Sequence, residues 1–300
     1  MSCRILIILF GAVVLELLGL PSEAQTMLHY QFKAGERLQY HYKVSASADV
    51  MRRRGGKEYQ TNFEADPEWD VEDVSVDNEA RAILTVRNRM EIYRNGNWHL
   101  NFLHFTPQSE IAMNNSGALL YAKILIDDTE RSHTKQYVGK IPGLRLLPDI
   151  QAVGPYFERL WYTLDTVKLD TIGTPITVGF DSSVAHPFEH DTMVYGRLDT
   201  FVSTQAIPYE YRYKGTTAYS LRDTVVGDRH FWALDAVTDE ETSSLKFSNS
   251  HPTGSHRSSV VLFRKEDCIL QSWHYTLETH ANGGSSNSEM WLTLTSIEGS

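Results

Sequence analysis

Residues 38–92 read LQYHYKVSASADVMRRRGGKEYQTNFEADPEWDVEDVSVDNEARAILTVRNRMEI, with Leu38 first and Ile92 last. Apolar and polar residues alternate along it, the period of a half-buried strand. A two-residue turn at Gly55-Gly56 sets Tyr40 against Val71, Tyr42 against Trp69 and Ala48 against Phe63. The other face then pairs His41 with Asp70 and Lys43 with Glu68. A second turn at Asp77-Asn78 places Trp69 on Val86, Val71 on Leu84, Ala65 on Met90 and Phe63 on Ile92. It also pairs Asp66 with Arg89 and Glu68 with Arg87. Two independent turns thus give one consistent apolar face.

Outward from this stretch the pattern continues. Around Asn95-Gly96-Asn97 a three-residue loop keeps the face, pairing Ile92 with Leu100 and Met90 with Phe102, whereas a two-residue loop would bring His99 and Asn101 there. Pro67 lacks a ladder donor, so a bulge or a non-bonded position is expected there. Residues 106–117 read as loop and Ala118–Ile126 as strand. Beyond a Pro- and Gly-rich boundary at 141–154, Phe157, Leu160, Trp161 and Leu164 recur at helical spacing and predict an amphipathic helix near 155–165. Its apolar stripe is expected to pack on the sheet. Short strands and turns follow to residue 205.

Residues 209–214, Tyr-Glu-Tyr-Arg-Tyr-Lys, echo residues 38–43, Leu-Gln-Tyr-His-Tyr-Lys, in alternation. Strands are expected at Phe231–Val237 and Ser259–Arg264, and a Gly283-Gly284 turn sets Leu277 on Met290, Tyr275 on Leu292 and Trp273 on Leu294. The expected fold is therefore mainly β: long, curved antiparallel meanders in two related halves, half-barrel-like, with one helix. The expected division is a signal peptide at 1–24, a meander at 25–140, a linker with helix and short strands at 141–204, and a second meander at 205–300.

The first 24 residues carry Arg4, an eleven-residue apolar run Ile5–Leu15, then Ser22 and Ala24. That is the pattern of a secretory signal peptide cleaved after Ala24. Glu16 interrupts the run before it reaches the length of a membrane span, and no second such run follows. Export to a periplasmic or extracellular location is expected. Removal of Arg4, Glu16 and Glu23 leaves 27 basic and 36 acidic residues in a mature chain of 276. That acidic balance argues against nucleic acid as a partner. Arg52-Arg53-Arg54 and Lys57 read as charges guarding a hairpin tip. Cys268 is the sole mature cysteine, so no intrachain disulfide forms, and Glu266 and Asp267 beside it would raise its pKa.

Chemistry-bearing motifs are few. His186-Pro187-Phe188-Glu189-His190 fits the H-x-x-E-H pattern, in which two histidines one helical turn apart hold zinc and the glutamate acts as base. Pro187 follows the first histidine and the flanks read as loop and strand, so a polar connecting loop is the competing reading. Asp66, Glu68, Asp70 and Glu72 form an acidic row able to offer oxygens to calcium, but basic neighbours would pair with most of it. Asn114-Asn115-Ser116 fits an N-glycosylation acceptor in a eukaryotic host. No nucleophile elbow, phosphate-binding loop, dinucleotide fingerprint or C-x-x-C occurs, and no cofactor is implied.

Two segments carry a family resemblance: Phe32-Lys33-Ala34-Gly35-Glu36-Arg37-Leu38-Gln39-Tyr40 and Val261-Leu262-Phe263-Arg264-Lys265-Glu266-Asp267. With them the chain resembles exported bacterial proteins that open on a Gly-charged-x-apolar-x-Tyr strand and end in a β meander. More distantly it is similar to the LolA-like half-barrel lipoprotein carriers of the periplasm, whose curved sheet wraps a helix. The resemblance spans 32–90 and 209–297 and transfers no binding residue.

The function expected from the sequence is a non-catalytic exported protein binding a lipid, another apolar ligand or a partner segment on its aromatic face, through Tyr40, Tyr42, Phe63, Trp69 and Met90. One alternative is a structural or assembly module bound to an envelope protein. The other is a metal-dependent hydrolase using His186, Glu189 and His190.

Overall fold

The computed structural model describes residues 28–50, 57–94, 97–105, 108–125, 144–146, 157, 160–164, 172–186, 188–194, 197–203, 209–244, 252–281 and 284–299. The fold is mainly β and antiparallel. The strands of the N-terminal half are β1 (Arg37–Val50), β2 (Lys57–Val74), β3 (Ala80–Arg94), β4 (Asn97–Phe105), β5 (Gln108–Met113) and β6 (Leu119–Leu125). The middle holds β7 (Leu144–Leu146), β8 (Ile176–His186), β9 (Phe188–Val194) and β10 (Arg197–Ser203). The last five are β11 (Tyr209–Val226), β12 (Arg229–Ser244), β13 (Thr253–Arg264), β14 (Leu270–Ala281) and β15 (Gly284–Glu298).

Among the described residues twelve strands form one open sheet in the order β6-β5-β3-β2-β1-β15-β14-β13-β12-β11-β8, with β4 hydrogen-bonded to β3 off this path. The two meanders meet at β1 and β15, the first and last strands, which pair from Arg37↔Glu298 to Val50↔Gly284. β7, β10 and β9 make a separate three-stranded sheet.

The register differs from expectation in a regular way. β1 and β2 pair Leu38 with Trp69 and Tyr42 with Ala65, closing at Val50↔Lys57, a slip of four from the Gly55-Gly56 pairing. β2 and β3 pair Trp69 with Leu84 and Phe63 with Met90, and β14 and β15 pair Trp273 with Leu292 and Tyr275 with Met290. Each of these slips by two. Even slips preserve the face of every side chain, because the pleat repeats every two residues. The loop at Asn95-Gly96 does break the expectation: Arg94 pairs with Asn97 and Ile92 with His99. Asn-Gly favours the tight two-residue turn, and that local preference prevails over the apolar pattern.

Two further elements depart from expectation. The 106–117 segment contains β5, whose Ser109, Ile111 and Met113 are buried. Its polar alternate residues Gln108 and Glu110 hid the strand. Pro67 carries no bulge in β2. The expected alternative, a non-bonded position, is what occurs: the β1–β2 register skips Tyr40 and His41 opposite Pro67 and Asp66, while the register shift on the β3 side falls between Val71 and Asp73. In the 155–165 segment Phe157 and Leu160 are helical, whereas 161–164 are not. Their four apolar side chains are nevertheless all buried.

Candidate functional site: the aromatic face and its cover

The pleat and the register put Tyr40, Tyr42, Trp69, Leu84, Ile111, Leu292, Trp273, Val261, Leu234 and Leu221 on one face of the sheet. The opposite face is polar and laced with cross-strand ion pairs. Asp66 meets His41 at 2.9 Å, Glu68 and Asp70 share Arg37, Glu64 meets Lys43, and Asp181 pairs with Arg212. Of the acidic row, Asp66, Glu68 and Asp70 thus meet basic side chains, through His41 and Arg37 rather than through the pairs the two turns predicted.

The aromatic face is covered at one end by the chain itself. Trp161, 1% exposed, is the hub. Its ring lies 4.8 Å from Tyr30, 4.9 Å from Trp69, 5.8 Å from Tyr40 and 6.0 Å from Phe32, centroid to centroid. Phe157 adds an edge-on contact to Trp69 at 5.6 Å. Such offset and tilted pairs each add to the burial of area.

Tyr30 fastens this cover. Its amide donates to the Asn115 carbonyl at 2.9 Å, its carbonyl accepts from the Asn78 side chain, and its hydroxyl donates to the Tyr162 carbonyl at 2.6 Å. One residue on, the Gln31 amide donates to the Asp267 carbonyl at 3.1 Å. One short segment therefore bridges the β2–β3, β5–β6 and β13–β14 turns. The β5–β6 turn is held by Asn114, whose Oδ1 accepts from the Ser116 amide, the Ser116 hydroxyl and the Ala118 amide. Gly117 (φ +80°) completes it, and a Cβ there would lie 2.6 Å from the Tyr30 ring and 2.7 Å from the Trp161 Nε1.

The two segments behind the family resemblance meet beside this cover. Glu36, 2% exposed, has its Oε2 buried without a partner, and Asp267 is 6% exposed and paired with Arg264 at 3.1 Å. Burial, then the nearby Asp267 carboxylate, pushes the Glu36 carboxyl above its ordinary range. Burial likewise raises Cys268, with Asp267 adding to it, which suits a packed thiol rather than a nucleophile. Sequence reasoning did not single out Glu36, since only the fold brings it next to Asp267.

Away from Trp161 the same face is only half-buried. Tyr162 reaches Trp273 at 5.2 Å, Trp273 reaches Tyr275 at 6.2 Å, and Leu277 lies two residues further along β14. Burial raises the Tyr275 hydroxyl, and the charges of Arg257 and Glu240 both act on it. Arg257 Nη2 donates to Glu240 Oε1 at 2.9 Å, and the Thr242 hydroxyl donates to the same oxygen at 3.0 Å.

Of the residues expected to bind ligand, Tyr40, Tyr42 and Trp69 share the face and are buried. The Tyr40 hydroxyl donates to the Leu270 carbonyl at 3.0 Å. The Phe63 and Met90 side chains lie outside the described residues, as do Arg52–Arg54. His186 ends β8 while Glu189 and His190 lie in β9. The backbone on either side of Pro187 is strand, not the helix on which H-x-x-E-H sets its histidines one turn apart. Among the described residues no group of three metal-ligating side chains converges, and no helix is long and apolar enough to cross a membrane.

No family model matches the chain, and neither does any curated protein. Among solved structures, one describing lipid–protein interactions in lipovitellin aligns over 90% of this chain at 8% identity with a TM-score of 0.43. The chain spans 26% of that protein's length. A likeness this slight bears on neither the fold nor the function.

Proposed function

We propose that this is an exported, non-catalytic protein that holds an apolar ligand, or an apolar segment of a partner, against the aromatic face of its sheet. One observation carries the reading: the face extends beyond its own cover. Phe157, Leu160, Trp161 and Tyr30–Phe32 bury Tyr40 and Trp69, yet Trp273, Tyr275, Leu277, Val44 and Tyr219 continue the surface half-buried. A large aromatic surface of this kind is costly to hydrate and favours an apolar occupant. Tyr40, Tyr42 and Trp69 form the floor beneath the cover, with Phe63 and Met90 following on in the β2–β3 register. An occupant reaches the Trp273–Tyr275 strip directly.

Native mass spectrometry of the mature protein from its producing cells tests this. The expected result is an apolar molecule released on denaturation, and a chain beginning at Gln25. Trp273→Ala is expected to lower occupancy about tenfold, since one buried aromatic contributes on the order of 1–3 kcal/mol to such a contact. A bare chain that also fails to take up added apolar probes overturns the reading.

A further inference from the structure

We infer that the half-buried strip ends in a polar site for an uncharged acceptor group, so that the occupant is a neutral amphiphile such as an esterified acyl chain rather than a free fatty acid. This rests on the proposed apolar binding and specifies its ligand. Ser255, Arg257, Ser259 and Val261 alternate along β13 on the aromatic face, opposite Thr279, Leu277, Tyr275 and Trp273 of β14. Two side-chain atoms here are closed off from solvent and have no hydrogen-bond partner: Arg257 Nε and Ser255 Oγ. Nε is a donor only, and the serine hydroxyl can donate as well. Buried donors left unmatched are costly, and an acceptor oxygen supplied by a ligand relieves them.

Charge decides the class of acceptor. Arg257 is already neutralised by Glu240, whose side chain is 7% exposed and held by both Arg257 and Thr242. A second carboxylate at the same guanidinium, whose side chain is 39% exposed, would set like charge against the buried Glu240 carboxylate, which is unfavourable. An ester or amide carbonyl satisfies Nε without that penalty. The strand from Trp273 to Thr279 spans roughly 20 Å at about 3.3 Å per residue, room for an acyl chain to lie along the aromatic strip with its carbonyl toward Arg257.

The test compares three probes of equal chain length on the mature protein: a long-chain methyl ester, the free acid at neutral pH and the alkane. The ester is expected to bind about tenfold tighter than the alkane, the effect of one hydrogen bond to a charged donor, and tighter than the acid. Arg257→Lys keeps a cation for Glu240 but removes Nε, and Ser255→Ala removes the hydroxyl. Each is expected to shrink the ester's advantage while alkane binding holds, with the melting temperature reporting that the fold is intact. Equal binding of ester and alkane overturns the polar site and leaves apolar binding standing. A preference for the acid overturns the neutral-ligand assignment. No binding of any probe overturns both.

Discussion

Tyr30 donates its hydroxyl to a carbonyl 132 positions away in the chain, and it does so at 0% exposure. Tyr30→Phe is therefore expected to destabilise the protein by about 1–2 kcal/mol, because the Tyr162 carbonyl loses its buried donor. Denaturant melts of the two proteins check this. Gly117→Ala is expected to cost more, about 2–4 kcal/mol, since it combines a left-handed backbone with a Cβ thrust against the Tyr30 ring and the Trp161 indole. Glu36 has a signature that pH reveals. Burial, and after it Asp267, holds its carboxyl above the ordinary range in the folded protein, with Lys33 and Arg264 acting in the lowering direction. The folded state thus holds a proton that the unfolded chain has released, and stability falls as pH rises from the ordinary glutamate range through the raised folded value. Glu36→Gln mimics the protonated form. It is expected to flatten that slope and to raise the melting temperature at neutral pH relative to the native protein, with the gain vanishing toward about pH 4. A native-like slope in the variant would assign the pH dependence to other groups.

At the scale of elements, the two properties of a strand were not equally legible. Which residues share a face follows from the two-residue pleat, and Tyr40, Tyr42, Trp69, Val71 and Leu84 indeed share one. How far each strand slides along its neighbour depends on loop conformation. The β1–β2 connection consumes six residues, Met51–Gly56, rather than two, and no alternation rule registers an even slip. Local turn chemistry was the better guide where it was strong: Arg94↔Asn97 across Asn95-Gly96 and Ala281↔Gly284 across Asn282-Gly283 both enclose an Asn-Gly pair. The stripe of Phe157, Leu160, Trp161 and Leu164 was legible as core because apolar residues seek burial whatever backbone carries them. The partners of Trp161 were not, since Tyr30 and Phe32 lie more than a hundred positions away. The carboxyl of Glu36 and the orphaned Nε of Arg257 were invisible for the same reason: their character comes from neighbours that only the long-range pairing supplies.

The whole molecule is held together by its first and last strands. β1 sits between β2 and β15, and the β1–β15 ladder is where the sheet passes from one meander to the other. Across it Tyr40, Tyr42 and Val44 lie on Leu294, Leu292 and Met290, and Trp161 packs against Tyr40 from above. The N-terminal cover is likewise tied at its far side to the β13–β14 turn through Gln31 and Asp267. Neither meander keeps its own core edge without the other. A chain ending at Ala281, which lacks only β15, is therefore expected to lose the N-terminal half as well as its own C-terminal strand. Tyr40 and Tyr42 would face water, and losing several core contacts of about 1.5–3 kcal/mol each exceeds the margin of about 5–15 kcal/mol that keeps a domain folded. Limited proteolysis with near-ultraviolet circular dichroism reads the outcome. Uniform digestion and loss of the aromatic signal are expected, and a resistant fragment covering residues 28–125 would instead make the first meander an independent domain. Because the decisive pairing joins strands some 250 positions apart, folding of the intact chain is also expected to be slow, without a stable half-folded state preceding β15.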